Sequence, residues 1–342
     1  MLKSRIKGLV ICFTGSSLLV ALLYFLSGWM TDHPNGFLRK LPSHQIKGLG
    51  FVKLPDKYYY IAGNNQQYLY LASRLHRSRF LVIRIPAIDT LSKRVTGLDT
   101  VKVSNGAYLK ADSANFYVLD AGKSAMLSGR TRDARLTNIY ATPRFTGALP
   151  LSKSTAILTI VAKGQKAALV RFSGDRTTVP YILDEQGDGI FSTDGMLIAP
   201  PSSNKLFYVY YYRNRIICLD TTLNVLYTGK TIDTNSHVQI KVGQISADHT
   251  ITLESPPVFV NRHCAINDRW LFVQSALRAD NEVASATKGG AVIDVYAVKD
   301  GKYRLSFYVP DFANEKMEEF RVCGNTLVAL FDHYVHLYQL YF

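Results

Sequence analysis

The stretch NGAYLKADSANFYVLDAG, residues 105–122, decides the fold. It contains two short apolar runs, 108–111 and 116–119, separated by the polar string Asp112-Ser113-Ala114-Asn115. Apolar residues that alternate with polar ones, bounded by Gly and Asn, are typical of two β-strands joined by a tight turn. The stretch therefore predicts a β-hairpin.

Similar strand pairs recur along the chain, at 68–85, 156–172, 205–220, 269–301 and 325–340. The leading strands begin, in steps of 40 to 64 residues, near Tyr68, Tyr108, Ala156, Leu206, Trp270 and Leu327. Repeats of about this length that contain several strands indicate a β-propeller, because each small sheet buries its faces only against its neighbours. The fold class predicted is all-β.

Six pairs divide the 294 residues from 49 to 342 into blades of 49 residues, so a six-bladed β-propeller is expected. Seven blades of 42 residues would also fit, and a β-sandwich pair or an irregular barrel is the alternative architecture. The early strand at 51–54 is expected to pair with the last blade and close the ring.

Several of these strings resemble known propellers. Residues 105–120 resemble the blade pattern of six-bladed TolB-like and NHL-like propellers. A family of membrane-anchored bacterial proteins, of a kind found in Bacteroidetes, is similar in the strings YYIAG (59–63), DGIFSTDGML (188–197), YVYYYRN (208–214) and LVALFDHY (327–334). The resemblance covers the chain from about residue 50 and implies a fold and a location. It implies no catalytic residue.

The N-terminus predicts a membrane anchor. Residues 8–30 contain no charged side chain. A helix of this length spans a hydrocarbon core of about 30 Å. A cleaved signal peptide is the alternative, but Trp29 and Met30 follow the small residues Ser27 and Gly28, and no Ala-x-Ala occurs. The division expected is a cytoplasmic stub and transmembrane anchor at 1–30, a linker at 31–48 and an ectodomain at 49–342.

Charge predicts the orientation of this anchor. Lys3, Arg5 and Lys7 precede the uncharged stretch, and positive residues stay on the cytoplasmic side. We therefore expect a single-pass protein of the bacterial inner membrane, with the N-terminus in the cytoplasm and the C-terminal domain in the periplasm.

Composition and charge limit the function classes. A chain that is 47% hydrophobic and 12% aromatic is not an intrinsically disordered segment. The formal net charge is +14, and it remains +11 without residues 1–30. A basic surface favours acidic partners. Nucleic acid is disfavoured because the domain is expected outside the cytoplasm.

Basic turns are the candidate binding residues. One group lies at the turn of the first strand pair and comprises Arg74, Arg77 and Arg79. A second group, Arg130, Arg132 and Arg135, surrounds the single acid Asp133. If both turns open on one face, their guanidinium groups could hold carboxylates or phosphates. Solvated arginines on ordinary turns are the alternative reading.

The string at 208–214 supplies two further candidates, Tyr212 and Arg213, as an aromatic surface with a cation. Alternate tyrosines of a strand face opposite sides, so blade packing is the alternative for part of it.

No metal or cofactor is expected. His333 and His336 point to opposite faces of a strand, which disfavours zinc. The acidic string 184–189 lacks the spacing of a calcium loop and is interpreted as a turn. No spacing indicates a catalytic triad or a phosphate-binding loop.

Cysteine spacing leaves one alternative open. Cys264 and Cys323 occupy similar places ahead of successive strand pairs, so a disulfide between them is conceivable. Cys218 lies in an apolar run and is interpreted as a buried side chain.

The function expected is a binding or scaffolding module that holds a protein or an anionic glycan. Two alternatives stay open. The first is a periplasmic propeller enzyme, a hydrolase or lyase, with its site at the central channel. The second is a sensor of a small ligand.

Overall fold

The structure, a computed structural model, describes residues 2–30, 35–85, 87–98, 100–162, 166–187, 191–245, 250–283 and 289–342. One α-helix, α1, spans Leu2–Met30. Across the ranges just given, no helix has both the length and the apolar content needed to cross a membrane, so the membrane span stays a prediction.

The other regular elements of the described residues are β-strands, apart from one short 3-10 turn. Strand β1 is Ile46–Lys53. Blade 1 contains β2 (Tyr59–Asn64), β3 (Tyr68–Ser73), β4 (Arg79–Arg84) and β5 (Thr90–Arg94). Blade 2 contains β6 (Tyr108–Ala111), β7 (Asn115–Asp120), β8 (Ala125–Arg130) and β9 (Arg135–Ala141). Blade 3 contains β10 (Gly147–Ser152), β11 (Thr155–Ala162), β12 (Lys166–Ser173), β13 (Arg176–Thr177) and β14 (Tyr181–Ile182).

Blade 4 follows a short 3-10 turn, Phe191–Thr193, and contains β15 (Gly195–Ile198), β16 (Lys205–Tyr210), β17 (Ile216–Asp220) and β18 (Val225–Gly229). A separate hairpin consists of β19 (Val242–Ile245) and β20 (Thr250–Leu253). Blade 5 contains β21 (Asn261–Ile266), β22 (Trp270–Ser275), β23 (Gly290–Ala297) and β24 (Tyr303–Pro310). Blade 6 contains β25 (Glu319–Cys323), β26 (Thr326–Leu330) and β27 (Tyr334–Leu340).

These strands form a six-bladed β-propeller. Each blade is an antiparallel sheet whose strands pair in chain order, and in blade 3 both β13 and β14 pair with β12. The expected all-β fold and the count of six blades are therefore confirmed. The alternatives of seven blades, a sandwich or a barrel are not.

Apolar packing between neighbouring blades explains why the repeats need one another. The described buried residues fall into six clusters, and each cluster joins two adjacent blades. Between blades 1 and 2, for example, the rings of Phe80 and Phe116 lie 6.4 Å apart and both are fully buried. Each blade thus buries both faces, which a single small sheet cannot do.

The most apolar strand pairs are the middle strands of the blades. In five blades the pair visible in the sequence corresponds to the second and third strands. In blade 2 the pair at 105–122 corresponds to the first and second strands, β6 and β7. Middle strands are covered on both faces by neighbouring blades, as the burial of β3 and β22 shows, and they carry the longest apolar runs.

The ring closes where the sequence predicts. Strand β1 pairs antiparallel with β27 from Ile46 opposite Leu340 to Lys53 opposite Tyr334. It supplies the fourth strand of blade 6. Strand β1 comes from the start of the propeller sequence, whereas β25, β26 and β27 come from its end. The pairing of β1 with β27 therefore closes the ring.

Residues 35–40, here called the N-terminal strap, pack on blade 5. Arg39 is 4% exposed, and its guanidinium lies between Glu282 and Asp294. The Lys40 carbonyl oxygen accepts a hydrogen bond from the Ser306 amide at 2.8 Å. Part of the segment expected to be a linker is thus fixed to the propeller. Its residues 31–34 lie outside the described ranges.

Candidate functional site

The first strands of the blades surround a central channel. Strand β21 packs against β25 and β15, and β2 packs against β6 and β25. A cavity of about 900 Å³ opens where the turns that follow these strands meet, and it includes the turns 64–66, 112–115 and 200–204. Cavities of about 300–1,000 Å³ are typical of ligand sites.

A glycine permits the close approach of the inner strands. A Cβ added to Gly63 of β2 would lie 1.9 Å from the carbonyl oxygen of Ala111, at the end of β6. This is far inside van der Waals contact, so blades 1 and 2 converge at the channel only because residue 63 has no side chain.

Three charged side chains and one histidine line the inner wall of the channel: Lys110 of β6, His263 of β21, and Glu319 and Arg321 of β25. Glu319 is already engaged. Its Oε1 lies 2.7 Å from Nη2 of Arg321, and its Oε2 accepts a hydrogen bond from the Ile61 amide at 2.9 Å. The inner wall therefore holds two cations and a single carboxylate whose oxygens both have partners.

Lys110 is the cation without a partner. Among the described residues, none forms a hydrogen bond or an ion pair with its ammonium group, and the side chain is half-buried. Burial in the channel and, to a smaller extent, the charge of Arg321 lower the pKa of Lys110 to about 8, against the opposing effect of Glu319. Near neutral pH this lysine remains charged, at a free-energy cost.

Neighbouring groups in the channel are neutral at the same pH. Burial is the main factor that lowers the pKa of His263, which favours the neutral imidazole. Burial raises the pKa of the Cys264 thiol to about 12 and that of the Tyr211 hydroxyl to about 12. A thiol with this pKa is not the thiolate that nucleophilic catalysis requires. The wall therefore offers a cation and neutral donors rather than an activated nucleophile.

The two predicted arginine groups lie in turns that both contact the segment after β5: the Val95 amide donates to the Ser78 carbonyl and the Thr96 amide donates to the Ala134 carbonyl, each at 2.7 Å. Arg77 Nη1 donates to the Ser104 carbonyl at 2.9 Å, just before β6. The turn that carries Arg130, Arg132 and Arg135 is fixed by Thr131 Oγ1, which donates to the Asp112 carbonyl at 3.0 Å, just after β6. The two turns are therefore neighbours through residues 95 and 96, and a shared anion site on their guanidinium groups stays a prediction.

These arginines are turn residues with local or solvent contacts. Arg74 lies over the Tyr60 ring at 5.5 Å, and Arg130 pairs with Asp133 at 2.9 Å. Arg79, Arg132 and Arg135 are exposed. The six arginines, including Arg77, do not line the channel cavity.

Tyr212 and Arg213 are buried, at 7% and 4% exposure. The Arg213 guanidinium stacks 4.1 Å from the Tyr210 ring centroid and donates to the Asp184 carbonyl. The Tyr212 ring packs 5.0 Å from that of Phe259. Both side chains fasten the turn after β16 and offer little exposed surface to a partner.

The remaining motifs form local contacts. His333 Nδ1 lies 2.7 Å from Glu315 Oε1, and no group of three or more metal-ligand side chains occurs in the part of the chain that the structure describes. The acidic string at 184–189 ends in residues outside those ranges. Cys218, Cys264 and Cys323 are buried and free, so the conceivable disulfide does not form in this structure.

Sequence reasoning missed the channel residues Lys110, His263, Glu319 and Arg321. One signal was available. Lys110 interrupts an apolar run between Leu109 and Ala111, and Arg321 stands between Phe320 and Val322. A charged residue within an inner strand of a propeller lies where it can face the channel.

The fold and its cationic channel define this protein as a six-bladed β-propeller, a class whose fold suggests a binding or scaffolding module. No known protein family matches the sequence, and no curated protein matches it.

Solved structures provide the similarities. A protein of Bacteroides fragilis described as exported is 10% identical, with a TM-score of 0.50 over 89% of this chain and 98% of that one. A DUF4221 family member from Bacteroides vulgatus is 11% identical, with a TM-score of 0.49 over 88% and 99%. BamB from Moraxella catarrhalis is 11% identical, with a TM-score of 0.43 over 86% and 100%. At such identities the similarity concerns the fold alone.

Proposed function

We propose that this protein is a binding module that holds an anionic group in its central channel. The observation that carries the proposal is the unpartnered ammonium of Lys110 beside Arg321, in a wall whose one carboxylate, Glu319, already has partners for both oxygens. A carboxylate or phosphate placed there would compensate the lysine charge and form charge-assisted hydrogen bonds. A protein or an anionic glycan could present such a group.

The chemistry of the wall favours binding over catalysis. The Cys264 thiol and the Tyr211 hydroxyl keep their protons because burial raises the pKa of each to about 12. Glu319 is held by Arg321 and by a backbone amide, which reduces its use as a general base. These groups position and neutralise a ligand more readily than they transform it.

A thermal-shift titration with the full chain tests the proposal. We expect glucuronate, citrate or inorganic phosphate to raise the melting temperature, with a shift that grows as the logarithm of ligand concentration above the dissociation constant. The same anion should lose this effect in Lys110→Met, and Arg79→Met, an exposed arginine outside the channel, is the matched control. No shift with any of the three anions, or equal shifts in both variants, would overturn it.

We also propose that residues 8–30 hold the protein in the bacterial inner membrane, with the propeller in the periplasm. The stretch is uncharged, basic residues precede it, and the described side chains at 12–24 are all exposed. Exposed apolar side chains of this number are unfavourable in water. A lipid environment would remove that cost.

Cell fractionation and protease protection test this location. The protein should remain in the membrane pellet after an alkaline wash, and protease added to spheroplasts should degrade the propeller but leave a cytosolic control protein intact. Recovery in the soluble fraction would contradict the anchor. Protection of the propeller in intact spheroplasts would contradict the orientation.

A further inference from the structure

The mouth of the channel differs in chemistry from its inner wall. The mouth consists of turn residues that follow the first strands, and four of them have uncharged polar side chains with no hydrogen bond among the described residues. These four, here called the mouth residues, are Gln66 of blade 1, Ser113 of blade 2, and Ser203 and Asn204 of blade 4. All four are exposed and line the same cavity, so three blades offer amide and hydroxyl groups to whatever enters it.

The charges at the mouth balance, whereas those of the inner wall do not. Asp112 and Lys205 line the mouth with opposite charges. The Asp112 carboxylate is engaged in its own turn, where Oδ1 accepts the amides of Ala114 and Asn115 at 2.7 Å. One channel therefore combines a net positive inner wall with a neutral, hydrogen-bonding mouth.

We infer that the ligand is an oligosaccharide that ends in a single acidic sugar, an inference that rests on the binding function proposed above. The carboxylate of the terminal sugar enters the channel and lies against Lys110 and Arg321. The neutral sugars behind it lie at the mouth, where their hydroxyl groups exchange hydrogen bonds with Gln66, Ser113 and Asn204. Hydroxyls both donate and accept, which matches amide and hydroxyl side chains.

An acidic peptide fits this arrangement less well. Its carboxylates recur along the chain, so those outside the channel would meet Asp112 as well as Lys205 at the mouth, and repulsion from the aspartate would offset attraction to the lysine. Like charges brought close in a partly dry site are unfavourable. A ligand with its charge concentrated at one end avoids this repulsion and still satisfies Lys110. The cavity of about 900 Å³ lies near the upper end of the range for small ligands, about 300–1,000 Å³.

Isothermal titration calorimetry with the full chain in detergent tests the inference with four probes. They are glucuronic acid, a trisaccharide in which glucuronic acid caps two neutral hexoses, the same trisaccharide with its carboxyl reduced to an alcohol, and a hexaglutamate peptide. We expect the acidic trisaccharide to bind at least about tenfold more tightly than glucuronic acid, because its neutral sugars add hydrogen bonds at the mouth. The reduced trisaccharide should not bind detectably.

Two variants distinguish the contribution of the inner wall from that of the mouth. Lys110→Met should abolish binding of both glucuronic acid and the acidic trisaccharide. The double variant Q66A/N204A should weaken the trisaccharide about five- to tenfold and leave glucuronic acid unchanged. Arg135→Ala, on an exposed turn outside the cavity, is the control and should change neither affinity.

The outcomes distinguish this inference from the function on which it rests. If no anionic probe binds, the binding function itself fails. If glucuronic acid binds but the trisaccharide binds no more tightly, or the Q66A/N204A variant changes nothing, the anion site stands and the oligosaccharide inference is overturned. Tighter binding of hexaglutamate than of the trisaccharide would likewise overturn it in favour of an acidic peptide.

Discussion

Arg39 Nε donates a hydrogen bond to Asp294 Oδ1 over 2.8 Å, although the two residues lie 255 positions apart in the sequence. The same guanidinium pairs with Glu282, and all three side chains are almost fully buried. Burial by itself lowers the pKa of Arg39, but Asp294 and Glu282 raise it above its ordinary value. The N-terminal strap is thereby fixed to blade 5 by a buried charge cluster.

Removal of the Arg39 side chain should destabilise the propeller strongly. In Arg39→Met two buried carboxylates lose their cation, and breaking a buried pair in this way costs about 3–5 kcal/mol. The control is Arg84→Met, since the Arg84–Asp89 pair is 2.6 Å long but exposed and should contribute less than about 1 kcal/mol. Urea unfolding of the full chain measures both, and equal losses in the two variants would contradict a buried role for Arg39.

Lys110 should make stability depend on pH. Its pKa in the folded protein, about 8, lies below the ordinary value of 10.5, so the unfolded chain binds more protons between these values. The free energy of unfolding therefore rises with pH from about 8 to 10.5. Below pH 8 it is reduced by the full cost of burying charged Lys110. Lys110→Met removes the penalty and should stabilise the protein at pH 7 by up to about 3 kcal/mol.

The measurement for Lys110 is the difference between wild type and variant in urea unfolding at pH 7 and pH 9.5. The difference should shrink at pH 9.5, where wild-type Lys110 is mostly neutral. Buried tyrosines titrate in both proteins, so their contribution cancels in this comparison. A constant difference at the two pH values would show that Lys110 has an ordinary pKa.

The affinity for an anionic ligand should also depend on the protonation of Lys110. An anion in the channel favours the charged form of Lys110, so binding of glucuronate is expected to weaken once the pH exceeds about 8. Above that value affinity should fall by about tenfold per pH unit at most, because one proton is lost from the free site. Calorimetry at pH 7, 8 and 9 tests it, and a flat profile would exclude Lys110 as the anion-binding group.

Gly63→Ala should disrupt the channel. The added methyl group would lie 1.9 Å from the Ala111 carbonyl oxygen, so β2 must separate from β6, at a cost of about 3 kcal/mol. Gly106→Ala is the control, because nothing lies within 4 Å of its added Cβ. Thermal unfolding should show a lowered melting temperature in the first variant alone. An unchanged Gly63→Ala protein would mean that the inner strands do not approach so closely.

The three propeller cysteines should resist alkylation. Burial raises the pKa of both Cys264 and Cys323 to about 12, and Cys218 is fully buried. In a Cys12→Ser protein, iodoacetamide should modify no cysteine under native conditions and all three after denaturation, as measured by mass spectrometry. A disulfide-linked peptide of Cys264 and Cys323 in the unreduced digest would contradict the free thiols.

The fold could be predicted from the sequence because its signals are local. Alternating apolar runs such as 108–111 and 116–119, separated by polar turns, repeat often enough to indicate six blades. The closing strand was also predictable, since the run at 51–54 has no partner nearby and the last blade lacks a fourth strand. Each inference requires only the period of the pattern and the number of repeats.

The candidate site was not predictable in the same way. Arg77 and Arg130 look like free binding residues in the sequence, but Arg77 donates to the Ser104 carbonyl, Arg130 pairs with Asp133, and neither lines the channel cavity. Tyr212 and Arg213 follow a strand as an exposed turn would, but the segment around Phe259 covers them. Such burial depends on residues far along the chain.

The sequence by itself determined the class of fold and the excess of basic residues and favoured six blades over seven, because strand periodicity, repeat length and charge are properties of neighbouring residues. Only the tertiary structure decided that Lys110 and Arg321, 211 positions apart, share one channel wall with a single engaged carboxylate. The physical reason is ring closure. It brings the first strands of blades 2 and 6 to a common axis, where burial and mutual repulsion alter the chemistry of a lysine that looks ordinary in the sequence.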